Sequence, residues 1–209
     1  MLIEEDDGRF SSLEKLAAEF PQQRVLLHHG DANGAVRKLC ADIPWHRSDD
    51  RAKGVRGVLF LDPYGMEVEW STMEAVAATQ AVDAWIFFPL SGLYRNAPHD
   101  KLKITEDKRR RITVVLGTDD WEKSWYGTPS GQSDLFGDEA AAIRTVDVDA
   151  IEEYVRKRLA TVFKGAVMKP LRIYNERGAP IASLFFAVSN PNPKAVGLAK
   201  RIADSILKR

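Results

Sequence analysis

Val55-Arg56-Gly57-Val58-Leu59-Phe60-Leu61-Asp62-Pro63-Tyr64-Gly65 is the stretch on which the fold turns. Val58 to Leu61 is continuously apolar, the pattern of a short strand covered on both faces. It stops at Asp62-Pro63, where proline fixes the backbone and offers no N–H. Upstream, Met1 to Glu5 reads as a very short strand running into acids. Ser11-Ser12-Leu13-Glu14 has capping-box spacing, with Leu13, Leu16, Ala17 and Phe20 following at helical intervals. Pro21 ends that helix. Arg24 to His28 reads as a buried strand, and Ala35 to Ile43 as a helix with Val36, Leu39, Cys40 and Ile43 on one side. Downstream, Ser71-Thr72-Met73-Glu74 is a second capping box that opens a helix to about Gln80. Ala84 to Phe88 is the next buried strand, ended by Pro89.

Helices alternating with short apolar strands predict right-handed crossovers and a mostly parallel sheet in the doubly wound α/β class. Ligands in such sheets sit beyond the carboxyl ends of the strands. The loops after Ile3, His29, Leu61 and Phe88 are therefore expected on one face. Past residue 90 the pattern is less regular. Glu106 to Leu116 reads as a helix carrying Lys108-Arg109-Arg110-Arg111, Trp121 to Tyr126 as an aromatic helical turn, and Thr128 to Gly137 as a loop. Asp149 to Phe163 is an amphipathic helix with Ile151, Tyr154, Val155, Leu159 and Val162 inward. Val167 to Tyr174 and Ile181 to Val188, joined by Asn175-Glu176-Arg177-Gly178, form an antiparallel hairpin. Asn192-Pro193 opens a last helix. The whole of 1–209 reads as one domain with an irregular helical and loop insertion at about 91–146.

The composition narrows the function. Thirty lysines and arginines against 30 aspartates and glutamates give a formal net charge of zero. That argues against a strongly basic binder of nucleic acid or anionic membrane. The single cysteine, Cys40, excludes an internal disulfide framework and a multi-cysteine zinc site. No apolar run approaches the roughly 18 residues of a membrane span. The acidic start reads as lacking a signal peptide, so a cytoplasmic location and no membrane partner are expected.

Four features fall on the expected ligand face. Glu4-Glu5-Asp6 ends the first strand, where a carboxylate can accept from both hydroxyls of a ribose; a solvated acidic turn is the alternative. Asp31, in Gly30-Asp31-Ala32-Asn33, can accept from an exocyclic amine such as that of adenine; Asp31 or Asn33 can equally cap the following helix. Asp62-Pro63-Tyr64-Gly65 delivers an acid, a rigid turn, a stacking aromatic and a close-approach glycine to the end of the central strand. A plain structural turn uses similar residues, but the acidic-aromatic sequel Glu67-Val68-Glu69-Trp70 favours a site. Pro89 to Asn96, which includes Arg95, lines either a substrate pocket or an ordinary loop. His28-His29, the basic run at 108–111, the tryptophans and Cys40 read as structural or solvated. Neither a Gly-x-Gly-x-x-Gly nor a Walker A loop occurs.

An acid, an Asp and an Asp-Pro-aromatic turn after successive strands, followed by a terminal antiparallel hairpin, together resemble a class I S-adenosyl-L-methionine-dependent methyltransferase. The Asp-Pro-Tyr-Gly turn is similar to the Asp-Pro-Pro-Tyr type of amino-methyltransferases that act on nucleobases. More narrowly, Phe60 to Met66, Val68-Glu69-Trp70-Ser71-Thr72 and Ala84 to Leu90 resemble the three-Cys-motif partner protein family. Asp120-Trp121 and Asn190-Pro191-Asn192-Pro193 agree more loosely. The resemblance covers essentially the whole chain. It implies a Rossmann-like fold and, as partner, a radical-type three-cysteine protein. It also implies Glu4 on the ribose and Asp31 on the adenine of S-adenosyl-L-methionine. Asp62, Pro63 and Tyr64 would form the floor of the reaction site, with Gly65, Trp70 and Arg95 toward substrate, a nucleic-acid nitrogen being one acceptor class. Relatives carry an Asp-Leu-Phe-Ala-Gly-Pro-Gly-like stretch after a first strand. Here Met1 opens directly on the second strand, so the sheet is expected to lack its first strand and Gly-rich loop. A non-catalytic module that docks the three-cysteine protein is the alternative.

Overall fold

The computed structural model describes residues 1–46, 54–63, 65–127 and 142–207. Strand β1 (Leu2–Glu4), helix α1 (Asp7–Glu19) and strand β2 (Leu27–His29) make a parallel βαβ unit with Ile3 level with His28. Helix α2 (Ala32–Asp42) leads to β3 (Gly57–Leu61), α3 (Trp70–Ala78) and β4 (Val82–Phe88). β3 and β4 are again parallel, Leu59 beside Ala84. Then follow α4 (Leu90–Asn96), a 3-10 turn at Lys101–Lys103, α5 (Glu106–Leu116) and α6 (Asp120–Trp125). The short strands β5 (Tyr126–Gly127) and β6 (Ile143–Arg144) pair antiparallel. Helix α7 (Val148–Val162), strands β7 (Ala166–Val167), β8 (Leu171–Tyr174) and β9 (Pro180–Val188), and helix α8 (Pro193–Leu207) complete the chain.

The architecture is mixed α/β. β9 inserts antiparallel beside β4, Phe185 opposite Ile86, and both β7 and β8 lie antiparallel along its far side. The main sheet therefore runs β3-β4-β9 and then β7 and β8, while β1 and β2 form a separate pair among the described residues.

The period of two along β4 and β9 builds two cores. Ala84, Ile86, Phe88, Phe185 and Ala187 face the larger one, against Met73, Val76, Leu116, Trp121 and Ile151 of the helices. Trp85, Phe186 and Val188 face the smaller one, under Ala199 and Ala203 of α8. Trp121 and Trp125 are fully buried and pack at 5.4 Å between ring centroids. Burying such a ring removes roughly 150–250 Å² from water, about 4–6 kcal/mol before ordering entropy is subtracted.

Local chemistry explains most element ends. Thr105 caps α5 by accepting from the Lys108 N–H, Glu106 and Asp107 sit in its first turn, and Gly117 ends it in the left-handed region at φ +64°. In the turn after β8, Asn175 Oδ1 accepts from the Arg177 and Ala179 N–H groups and Gly178 takes φ +74°.

Several expectations are corrected. α1 starts at Asp7 rather than at the Ser11 capping box. Asp6 is the cap, accepting from the Arg9 N–H at 2.9 Å, and Ser12 Oγ instead donates back to the Gly8 carbonyl. α3 is not opened by a Ser71–Glu74 box. Glu69 precedes it, and Glu74 Oε1 accepts from Trp70 Nε1. The first arm of the hairpin is interrupted between β7 and β8, where Pro170 has no N–H to give a ladder. β3 is not covered on both faces: Leu59 and Leu61 pack on the main core, whereas Val58 and Phe60 are exposed. No described helix is long and apolar enough to cross a membrane.

Candidate functional site

The carboxyl ends of β1, β2 and β3 carry Glu4, Asp31 and Asp62. At Glu4, one carboxylate oxygen, Oε1, accepts from the Glu5 N–H at 3.0 Å and the Asp6 N–H at 2.9 Å, and pairs with Arg9 at 3.1 Å. The Asp6 amide is the main reason the Glu4 carboxyl lies below the usual glutamate range, with Arg9 adding to it. The other oxygen, Oε2, has no partner among the described residues. The Glu4 side chain is 22% exposed, so that oxygen sits at a half-sheltered edge. His29 closes one side of this corner: Nε2 lies 3.1 Å from the Glu5 carbonyl and 3.2 Å from Asp7, and the ring stacks on Phe10 at 4.4 Å. Gly30 follows at φ +148° and donates its N–H to the Glu4 carbonyl at 3.0 Å, which joins the loops after β1 and β2.

Asp31 serves first as a helix cap. Its two oxygens accept from the Gly34 N–H at 2.6 Å and the Asn33 N–H at 3.1 Å, and the Gly34 bond above all holds its carboxyl low. Both alternatives for the Gly30–Asn33 stretch meet here. Asp31 is the cap, which frees the Asn33 side chain for another task. Asn33 Nδ2 donates to the Glu67 carbonyl at 2.9 Å, and Oδ1 accepts from the Glu69 N–H at 3.0 Å and Thr72 Oγ1 at 2.8 Å. One amide thus fastens the loop after β2 to the segment after β3. Arg37, one turn along α2, adds an ion pair to Glu69 and a bond to Ser71 Oγ at 2.9 Å. Asn33 and Arg37 were not legible as site-builders, since only the tertiary fold brings residues 33 and 69 together.

Asp62 is exposed at the end of β3, Pro63 is half-buried, and Gly65 is exposed at φ +96° with its N–H bonded to the Pro63 carbonyl at 2.9 Å. A Cβ at Gly65 would meet nothing within 4 Å, so only its backbone conformation calls for glycine. Tyr64 lies outside the described residues. Met66 anchors the far end of the loop on α4: Asn96 Nδ2 donates to its sulfur at 3.4 Å, and a Cβ on Gly92 would lie 3.1 Å from its Cγ. These contacts join the loop after β1 to that after β2, the first turn of α2 to the segment after β3, and that segment to α4.

Trp70 is a core residue. Its ring is buried, lies against Gly117, and has the Arg158 guanidinium 4.6 Å from the centroid. It holds the start of α3 in place and offers no face to a ligand. Arg95 is exposed on the last turn of α4, with no ion-pair partner among the described residues. Its neighbour Tyr94 is covered by Arg144 at 3.9 Å.

No family model, curated protein or solved structure matches the chain.

The other candidates resolve structurally. Two residues of the basic run are ion-paired: Arg109 lies between Glu106 and Glu122 at 2.8 and 2.9 Å, and Arg110 is 3.6 Å from Asp107. Burial pushes the Cys40 thiol above its ordinary range, which disfavours the reactive thiolate. Among the described residues no group of three His, Cys, Asp or Glu is placed to hold a metal. A cavity of about 600 Å³ lies at the other edge of the sheet, between α7 and β8. There Arg172 is held by Glu152 at 2.7 Å and Asp149 at 2.6 Å, and Ser183 donates to Glu152. Arg156 pairs there with Glu153 at 2.7 Å, while Lys169 on the same wall is exposed with no ion-pair partner among the described residues.

Proposed function

We propose that the chain is a class I methyltransferase-like protein of the three-Cys-motif partner kind, whose loops after β1 to β4 hold the adenosine part of S-adenosyl-L-methionine. The carrying observation is the order of acids at the ends of the first three strands, Glu4, Asp31 and Asp62-Pro63, with β1 parallel to β2, β3 parallel to β4, and an antiparallel β8–β9 hairpin at the far side of the main sheet. The residues present fit the adenosine half. Glu4 Oε2 accepts no hydrogen bond among the described residues, and Gly30 donates its N–H to the Glu4 carbonyl beside it. That Oε2 would accept from the ribose hydroxyls, and the Asp31 loop would meet the adenine edge. When bound, the cofactor supplies an electrophilic methyl group. Asp62 would accept a hydrogen from an attacking nitrogen, and Pro63 would fix the direction from which that nitrogen approaches.

Titration calorimetry with S-adenosyl-L-methionine tests the reading. Binding that weakens in Glu4→Gln is expected. A folded protein that takes up no heat at millimolar cofactor refutes it.

A second reading has its own support. Both oxygens of Asp31 and one of Glu4 already serve backbone amides, so these acids would be there to shape loops. The chain would then be a non-catalytic module that docks a radical-type three-cysteine protein. Asp62→Asn separates the two. It abolishes methyl transfer under the first reading and leaves co-purification with that partner unchanged under the second.

A further inference from the structure

Helix α7 and strand β8 face each other through charged side chains. On α7, Asp149, Glu152, Glu153 and Arg156 follow at i, i+3, i+4 and i+7, the spacing of one helix face. On β8, Arg172 and Tyr174 are two apart and share one face of the strand. These two rows, with Lys169 and Pro170 just before β8, line the cavity of about 600 Å³. That volume suits a small molecule. Most of the wall is pinned. Arg172 donates through Nε and Nη2 to the two oxygens of Glu152 at 3.1 and 2.7 Å, and through Nη1 to Asp149 Oδ1 at 2.6 Å. Ser183, fully buried on β9, donates to the same Glu152. Arg156 holds both oxygens of Glu153 at 2.7 Å with Nε and Nη2. Groups already locked in this way lose little further freedom when a ligand arrives.

Two opposite charges are left over. Asp149 accepts on Oδ1 alone, its Oδ2 has no partner among the described residues, and its side chain is 75% exposed. The Lys169 ammonium is exposed and has no partner among the described residues either. Three acids and three bases line the cavity, so its formal charge is zero. A ligand of one sign would answer one of the two free groups and face the other as a like charge. A ligand that carries both signs answers both. Beside them, Pro170 and the Tyr174 ring, which is about half exposed, supply an apolar wall. We propose that this cavity binds a free α-amino acid with an aromatic or large apolar side chain. Its carboxylate would meet Lys169 and the unused Nη1 of Arg156, its ammonium would meet Asp149 Oδ2, and its side chain would lie on Tyr174 and Pro170. The proposal does not depend on the cofactor reading, whose residues lie after β1 to β4.

Titration calorimetry on the full chain, with L-phenylalanine as the probe, tests it. Saturable binding with a Kd of about 0.1–1 mM is expected. 3-Phenylpropionate lacks the ammonium and phenethylamine lacks the carboxylate, so each should bind at least about tenfold more weakly. Lys169→Gln should erase the advantage of L-phenylalanine over phenethylamine. Asp149→Asn should erase its advantage over 3-phenylpropionate. Tyr174→Ala should weaken all three probes. The circular dichroism spectrum should stay unchanged in each variant, because all three side chains are exposed. A folded chain that takes up no L-phenylalanine at about 10 mM overturns the proposal. So does either analogue binding as tightly as the amino acid, or binding that is indifferent to both Lys169 and Asp149.

Discussion

Replacing Gly117 with alanine would place a methyl group inside the ring of Trp70. A Cβ at that position lies 2.1 Å from both Cγ and Cδ1 of Trp70 and 2.7 Å from its Cβ. The ring cannot easily retreat. It is buried, Arg158 lies over it at 4.6 Å, and Nε1 is tied to Glu74 at 3.1 Å. Two terms add. A left-handed conformation costs alanine about 1–2 kcal/mol more than glycine, offset by about 0.4–1 kcal/mol from the stiffer unfolded chain. Forcing a methyl into a filled core costs about 1–3 kcal/mol. Gly178→Ala isolates the first term, since Gly178 has φ +74° and nothing within 4 Å of its Cβ. Gly178→Ala should therefore cost about 1 kcal/mol or less, and Gly117→Ala about 2–4 kcal/mol. At about 2–4 °C per kcal/mol for a chain of this size, Gly117→Ala should lower Tm by roughly 4–16 °C. Thermal and urea unfolding by circular dichroism measure both. If the two variants agree within about 0.5 kcal/mol, the packing of Trp70 against Gly117 is refuted.

Asn33→Ala removes three bonds that join the β2 and β3 loops, so it should cost about 1–3 kcal/mol. Amide exchange should quicken in residues 65–72 more than in β9, and equal quickening in both would count against a local fastening. Glu122→Gln tests a pH effect. Arg109 at 2.9 Å and Lys101 at 3.3 Å hold the Glu122 carboxyl below its unfolded value. The stability it contributes is therefore present above the ordinary glutamate range and lost as pH falls through its folded value. The variant should lose about 1–3 kcal/mol near neutrality and converge with the parent in acid. Asp83 has the opposite sign. Burial raises its carboxyl, although the Ser189 N–H at 3.1 Å favours the charged form. Its folded state holds a proton longer than the unfolded state, so stability declines as pH rises from the ordinary aspartate range to the raised value. Asp83→Asn keeps an acceptor for Ser189 and should flatten that decline in pH-dependent urea midpoints.

Legibility in the sequence followed how local each signal is. α5 and α7 were legible almost to the residue, because caps at Thr105 and Asp147 and an inward stripe of Ile151, Val155 and Leu159 all lie within one short window. The hairpin was legible because Asn175 and Gly178 carry the turn chemistry themselves. α1 was misplaced because two segments, Asp6 to Arg9 and Ser11 to Glu14, offer equally good local caps. Only the position of β1 makes Asp6 the one that fits. Asp31 was weighed as ligand or cap, and it caps. The residue that assembles the site, Asn33, works across 34 to 39 positions, a distance at which sequence pattern carries no signal. Trp70 looked like part of the site because it follows Asp62-Pro63 closely in sequence, yet its ring faces Gly117, 47 positions away.

The same reasoning turns on β3. Its continuous apolar run predicted cover on both faces, and the chain supplies cover on one. A strand that exposes Val58 and Phe60 loses the burial of each, about 1.5–3 kcal/mol per side chain, as long as it stands alone. Nothing about the Leu59 and Leu61 side, which α2 and α3 help to bury, asks for those two residues to be apolar. The residues make physical sense as a strand whose second face is buried by something that α8 does not reach.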